Sequence, residues 1–239
     1  MSGRVQVVLW DIDGTLVSAG GAGRRAFERA VADFVGPFDG ALRDMRLDGM
    51  TDRLIVREAL TILGKPHTDA LCDELLGRYV EHLRGEIHGP GFRVLPAVEE
   101  ALAGLRDAGR PFGLCTGNVV DGARVKLAHA GLEHFFEWGD AAIAGFAADG
   151  EAREDVVAAA LRRAAARLGR AVPASEALVV GDTPRDVFAA HLHGCPVLAV
   201  ATGRFSVEEL RAAGAEWTVA TLAAPEARAV LMGVRGSGH

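Results

Sequence analysis

The chain has 239 residues, 49% of them hydrophobic and 24% charged, with a formal net charge of −6. That is the composition of a globular protein with a sizeable core, and its acidic balance argues against the basic footprint of a nucleic-acid binder. Cys72, Cys115 and Cys195 lack metal-ligand spacing, and the sequence shows neither a signal peptide nor an apolar run of roughly 18 residues, so a reduced, cytoplasmic protein without a membrane partner is expected.

Val5 to Trp10 is an apolar run that reads as a buried strand, broken by Asp11-Ile12-Asp13-Gly14-Thr15-Leu16. Helical patterns follow. Ala22 to Val35 places Phe27, Ala30, Val31 and Phe34 on one face, and Thr51 to Leu63 does the same with Ile55, Ala59, Ile62 and Leu63 before Gly64 and Pro66 end it. Thr68 to about Arg84 has Leu71, Leu75, Leu76, Tyr79 and Leu83 at helical spacing. No strand pattern interrupts these helices, and Pro90, Gly91 and Pro96 punctuate the return. From Val98 onward helices and short apolar strands alternate, as a doubly wound parallel sheet requires. Pro111 to Cys115 and Ala177 to Val180 are two such strands, and Pro196 to Ala201 is the last clear one. Ser206-Val207-Glu208-Glu209 after it reads as a capping box. The expected fold is α/β, a Rossmann-like parallel core from residues 1–16 and 93–232 with an all-helical lobe from 17–92. Residues 233–239 read as a disordered tail or an expression scar.

Chemistry concentrates at the strand ends. In an open α/β sheet the ligand crevice lies off the carboxyl ends of the strands. Asp11 and Asp13 stand at such an end, and two carboxylates turned into a crevice demand a cation. Asp13-Gly14 also reads as a hairpin turn, but that leaves Asp11 without a role. Thr116-Gly117-Asn118 follows the second strand, where Asn118 could cap the next helix with Asp121 at N3, and an exposed helix N-terminus is itself an anion site. Gly181-Asp182-Thr183-Pro184-Arg185-Asp186 follows the third. Thr183 as N-cap, Pro184 at N1 and Asp186 at N3 explain all of it except Asp182.

Asp-x-Asp-Gly-Thr-Leu after an apolar strand, a strand ending in Thr116, and a strand ending in Gly181-Asp182 together resemble the ordered motifs of the haloacid dehalogenase superfamily of phosphatases, from residue 5 to about residue 220. The resemblance implies a Mg²⁺-dependent phosphatase of the phosphoglycolate-phosphatase-like branch, acting on a small phosphorylated metabolite as a monomer or homodimer. Asp11 would be the nucleophile that forms an aspartyl-phosphate and Asp13 the general acid and base. Asp11, the carbonyl of Asp13 and Asp182 would hold Mg²⁺, with Asp186 steadying its waters or Thr183. Thr116, Gly117 and Asn118 would bind the phosphoryl group. The lobe at 17–92 would be a cap that closes over the cleft and excludes water.

The chain departs from the family where a Lys-Pro pair is common before the last motif. That place holds Glu151-Ala152-Arg153-Glu154-Asp155, and the chain's only lysines are Lys65 and Lys126. Lys126, on a helix expected to face the core through Val125, Ala128 and Leu132, is the first candidate to tether nucleophile and phosphate, with Arg153 second. Gly21-Ala22-Gly23-Arg24-Arg25-Ala26 matches a dinucleotide fingerprint but lacks the second strand, so it reads as a hinge into the cap, with Arg24 or Arg25 near the substrate. Gly49-Met50-Thr51-Asp52-Arg53 reads as a cap loop facing the cleft. A β-phosphoglucomutase-like phosphotransferase is the alternative and a receiver-like signalling domain the remote one, since receivers are shorter and lack a cap. A dehalogenase would lack Asp13, and phosphonate cleavage would require Lys65 as a Schiff-base lysine.

Overall fold

The computed structural model describes residues 5–233, so residues 1–4 of the expected core and 234–239 of the expected tail lie outside the described residues. In chain order, β1 (Val7–Trp10) and β2 (Val17–Ala19) precede the helices α1 (Ala22–Val35), α2 (Asp52–Ile62) and α3 (Asp69–Glu86). Then come β3 (Phe92–Val94), α4 (Val98–Asp107), β4 (Phe112–Cys115), α5 (Val120–His129) and β5 (Ala144–Gly145). The chain continues through α6 (Arg153–Leu168), β6 (Ala177–Gly181), α7 (Pro184–Leu192) and β7 (Val197–Val200). It ends with α8 (Val207–Ala212), β8 (Trp217–Val219) and α9 (Pro225–Leu231).

Six strands form one parallel sheet in the order β5-β4-β1-β6-β7-β8. Side chains alternate across a strand, and β1 is fully buried because both of its faces are covered. Val8 and Trp10 join a cluster with Leu102, Leu105, Leu127 and Val230, whereas Val7 and Leu9 join one with Val156, Ala160, Val187 and Leu210. Helices therefore lie on both faces, as a parallel sheet requires. β1 sits between β4 and β6, with Trp10 in register with Leu114 on one side and Val180 on the other. Asp11, Thr116 and Asp182 consequently leave neighbouring strands at the same edge of the sheet.

α1, α2 and α3 bury a separate apolar cluster that includes Phe27, Val31, Ile55, Leu60, Leu75 and Leu83. Thr51 and Thr68 cap α2 and α3 through hydrogen bonds of 3.2 and 3.4 Å to the amides of Leu54 and Leu71. The buried stripe of α2 is Ile55, Val56, Ala59 and Leu60, so the expected Ile62 is corrected: it is 48% exposed. The helix ends there, and Gly64, in the left-handed region at φ 61°, turns the chain away.

The structure adds a two-stranded antiparallel ribbon, β2 with β3, where no strand was expected. It pairs Val17 with Val94 and Ala19 with Phe92, tying together the two ends of the helical segment. Just beyond it Gly20, at φ +58°, passes so close to Gly91 that a Cβ would lie 2.4 Å from the Gly91 carbonyl carbon. β8 is likewise an edge strand beyond the last one read from the sequence. Among the described residues Asp13-Gly14 joins no hairpin, because the neighbours of β1 are β4 and β6. The capping boxes at Thr183/Asp186 and Ser206/Glu209 are both present.

Candidate active site

The loop after β1 is built around one carbonyl. The amides of Leu16 and Val17 both donate to Ile12 O, at 2.9 and 3.0 Å, with the Ile12 and Leu16 side chains fully buried beneath. Gly14 takes φ 82°, and a Cβ on it would lie 2.1 Å from Asp182 Oδ2; one on Gly203 would lie 1.7 Å from the same oxygen. Two glycines thus let the backbone close around the Asp182 carboxylate.

Asp11 and Asp186 share one cation, Asp13 has another, and Asp182 has none among the described residues. Asp11 Oδ1 accepts from Arg153 Nη2 at 2.8 Å, with both side chains buried. The same nitrogen donates to Asp186 Oδ1 at 2.6 Å and to the carbonyl of Cys115 at 3.2 Å. The other oxygen of Asp186 accepts from Thr183 N and Oγ1, at 3.1 and 2.8 Å. Asp13, with a side chain 42% exposed, accepts through Oδ2 from Lys126 Nζ at 2.5 Å and from Asn118 Nδ2 at 2.8 Å. Asp182 has no ion-pair partner among the described residues, and its hydrogen-bond donor is the Thr15 hydroxyl at 3.4 Å.

The electrostatics follow from these partners. Burial pushes the Asp11 carboxyl up to about 6 against the pull of Arg153. Burial, then repulsion from Asp186, Asp11 and Asp13, holds Asp182 well above the usual carboxylate range. Burial opposes charge on Lys126 and Arg153 too, but their carboxylate neighbours outweigh it, and both are held above their ordinary values. The buried oxygens of Asp11, Asp182 and Asp186 lie within 4.8 Å of one another. Clustered hard oxygen donors with one carboxylate unpaired fit a divalent hard cation.

The expected partner of Lys126 is corrected. The ammonium meets Asp13 rather than Asp11, and Arg153 is the cation on the expected nucleophile. The facing of α5 is corrected with it: Ala123, Lys126 and Leu127 are buried, Ala128 is exposed and Val125 packs against the α1–α3 cluster. Nor does Asn118 cap α5. Val119 is the N-cap, and Asp52 Oδ2 accepts its amide hydrogen at 2.8 Å. Asn118 instead bridges Asp13, Lys126 and the Thr116 hydroxyl.

Above these groups lies a cavity of about 290 Å³, lined by Asp11, Asp13, Gly117, Asn118, Lys126, Arg153 and Asp182 from the sheet side. Thr116 and Asp186 stand behind its wall. The helical segment supplies the other side, including Arg24, Met50, Asp52 and Tyr79. Arg25 pairs with Glu86 instead. The two sides touch closely: Asp52 N donates to Gly117 O at 2.7 Å and Thr51 Oγ1 donates to Glu151 O at 2.6 Å. A Cβ on Gly117 would lie 2.3 Å from Met50 O and 2.9 Å from Arg153 Nη1, so this glycine is fixed by close approach.

Tyr79, expected in the core, lines the cavity with its hydroxyl under the influence of Lys126, and burial pushes its pKa up. Its signal was being the chain's single tyrosine. Asp52 also faces Lys126, and burial pushes its carboxyl up to about 6.

A family model for haloacid dehalogenase-like hydrolases matches residues 5–194. The chain is 30% identical to the phosphoglycolate phosphatase of Rhodospirillum rubrum over 215 residues, 88% of this chain and 85% of that one. It is 28% identical to the phosphoglycolate phosphatase of Yersinia pestis over 204 residues, 83% of this chain and 82% of that one. The fold is similar to that of a predicted phosphatase from Clostridium acetobutylicum, with a TM-score of 0.69 at 20% identity, covering 96% of this chain and 99% of that one.

Proposed function

The chain belongs to the haloacid dehalogenase-like hydrolases, in their phosphoglycolate-phosphatase-like branch, and is a phosphatase; from that premise we propose that it is Mg²⁺-dependent and hydrolyses a small phosphomonoester through an aspartyl-phosphate on Asp11. The observation that carries this reading is Asp182, a carboxylate 4% exposed, without a cation of its own and clustered with Asp11. Asp11, Asp182 and the carbonyl of Asp13 would hold the ion, and Asp186 supports them from behind through Arg153 and Thr183. A divalent ion there supplies charge neutralisation for the carboxylates and the phosphoryl oxygens.

The residues divide the remaining work. Arg153 binds Asp11 through Oδ1, which leaves Oδ2 to attack phosphorus. The P–O ester bond breaks as the Asp11–phosphorus bond forms, and Asp13 gives its proton to the departing alkoxide. Asp13 then takes a proton from the water that hydrolyses the intermediate. Lys126 and Asn118 hold one oxygen of Asp13 and leave the other free for this transfer. Asp13→Asn is expected to lower kcat on the order of 10²-fold or more while leaving metal binding intact, measured by steady-state kinetics and Mg²⁺ titration. Gly117 N and the Arg153 guanidinium would bind the phosphoryl oxygens, and Thr116 would act from behind them by holding Asn118. The segment 17–92 is the cap, and its contacts at Gly117 and Glu151 represent a closed state that excludes water. Three free, buried cysteines fit a cytoplasmic setting, and among the described residues no helix is long and apolar enough to cross a membrane.

Excess chelator is expected to abolish turnover of para-nitrophenyl phosphate, and Mg²⁺ to restore it. Full activity in chelator would overturn the metal assignment. Asp182→Asn separates metal binding from folding. Removing a buried negative charge from beside two others should leave Tm without metal unchanged or higher, while the rise in Tm on adding Mg²⁺ disappears. Calorimetry of both proteins with and without Mg²⁺ measures this.

A further inference from the structure

On the cap side, the cavity is lined by Phe27, Leu47, Met50, Ile55 and Leu76, with the Tyr79 ring beside them. Four of these apolar residues are at most 8% exposed, so they belong to the cap core and their cavity-facing surface is fixed. A phosphorylated hydroxy acid would place a second anion on this side, and a cation would have to receive it.

Each cation that lines the cavity already has partners. Arg24 donates to Glu28 at 3.1 Å and to the carbonyls of Leu42 and Met45, which clamps the segment between α1 and α2. Arg204, at the rim and 50% exposed, pairs with Asp48 at 3.3 Å. Lys126 and Arg153 serve Asp13 and Asp11 on the sheet side. The other charged groups that line the cavity from the cap are the carboxylates Asp48 and Asp52, so no further cation is offered to the leaving group there.

We infer that the cavity selects phosphomonoesters of uncharged, largely apolar alcohols, of aryl-methyl or branched-alkyl type, over phosphorylated hydroxy acids such as phosphoglycolate. This rests on the phosphatase reading above and names its substrate class. The transferred group and the Asp11 chemistry stay the same. Only the alcohol that leaves differs, seated against Phe27, Ile55 and Leu76 rather than on a cation. The chain then parts from the phosphoglycolate phosphatases to which it is similar.

The test compares benzyl phosphate, phosphoglycolate and acetyl phosphate with Mg²⁺. Benzyl phosphate is used rather than an aryl ester so that both alcohols leave as alkoxides, and acetyl phosphate is too small to fill the cavity. The expected kcat/KM for benzyl phosphate exceeds that for phosphoglycolate by roughly tenfold or more. Calorimetric binding should show the same order for the non-reacting 2-phenylethylphosphonate over 3-phosphonopropionate, each the methylene isostere of its ester. Leu76→Arg, which puts a cation on the apolar wall, should shift the ratio toward phosphoglycolate; the wild-type comparison stands even if this variant folds poorly. Phosphoglycolate turned over as well as benzyl phosphate, or better, overturns the inference and leaves the phosphatase reading standing. Turnover of none of the three compounds, the two esters and the acyl phosphate, overturns both.

Discussion

Asp11→Asn is expected to reduce turnover by about 10⁴-fold or more and to leave no phosphoenzyme, because an amide is a poor nucleophile. The fold should survive the change. Asp11 is 5% exposed and sits against Asp182 and Asp186, so ionisation at this position opposes folding in the absence of metal. Arg153 keeps Asp186 as its partner at 2.6 Å after the substitution. Tm without metal should therefore be unchanged or higher, the exchange of stability for activity expected of a residue kept for chemistry. Single-turnover kinetics and calorimetry on one preparation check both halves.

Arg153→Ala is expected to have the second largest effect, and to exceed Lys126→Ala. Arg153 is the cation of two buried carboxylates, Asp11 and Asp186, and its Nη1 lies beside Gly117 at the cavity. Its loss leaves three buried carboxylates together and removes a positive charge from the phosphoryl oxygens. We expect kcat/KM to fall about 10³-fold and stability by about 3–5 kcal/mol. Arg153→Lys restores charge but not the planar fork, so it should recover stability better than rate. Lys126 pairs with Asp13, whose side chain is 42% exposed, so Lys126→Ala should act mainly on proton transfer, on the order of 10²-fold in kcat. Denaturant unfolding with steady-state kinetics on all three variants ranks them. A Lys126→Ala loss larger than that of Arg153→Ala would return the nucleophile's tether to the lysine.

Asp11 and Asp182 were legible because each ends an apolar strand, where a carboxylate has no structural reason to stand. Helix α1 was legible over its full length, since Phe27, Ala30 and Val31 recur at helical spacing against glycine boundaries. The partners of Lys126 and Arg153 were not. Which carboxylate a cation meets depends on the rotation of α5 and α6, and the α5 sequence buries a lysine beside Leu127 rather than presenting an apolar stripe. The β2–β3 ribbon was hidden for another reason. Each strand has three residues, too few for an alternating pattern, and they pair across the whole helical segment. Asn118 fits a helix cap by local rules, but the fold gives that place to Val119 and turns the amide toward Asp13.

Asp11 is expected to carry the phosphoryl group during turnover. Enzyme quenched during turnover, reduced with borohydride and mapped by mass spectrometry locates an acyl-phosphate directly, because reduction converts a phosphorylated aspartate to homoserine. The prediction is homoserine at position 11, absent in Asp11→Asn. Homoserine at position 13 or 182, or turnover by Asp11→Asn at the wild-type rate, would contradict it.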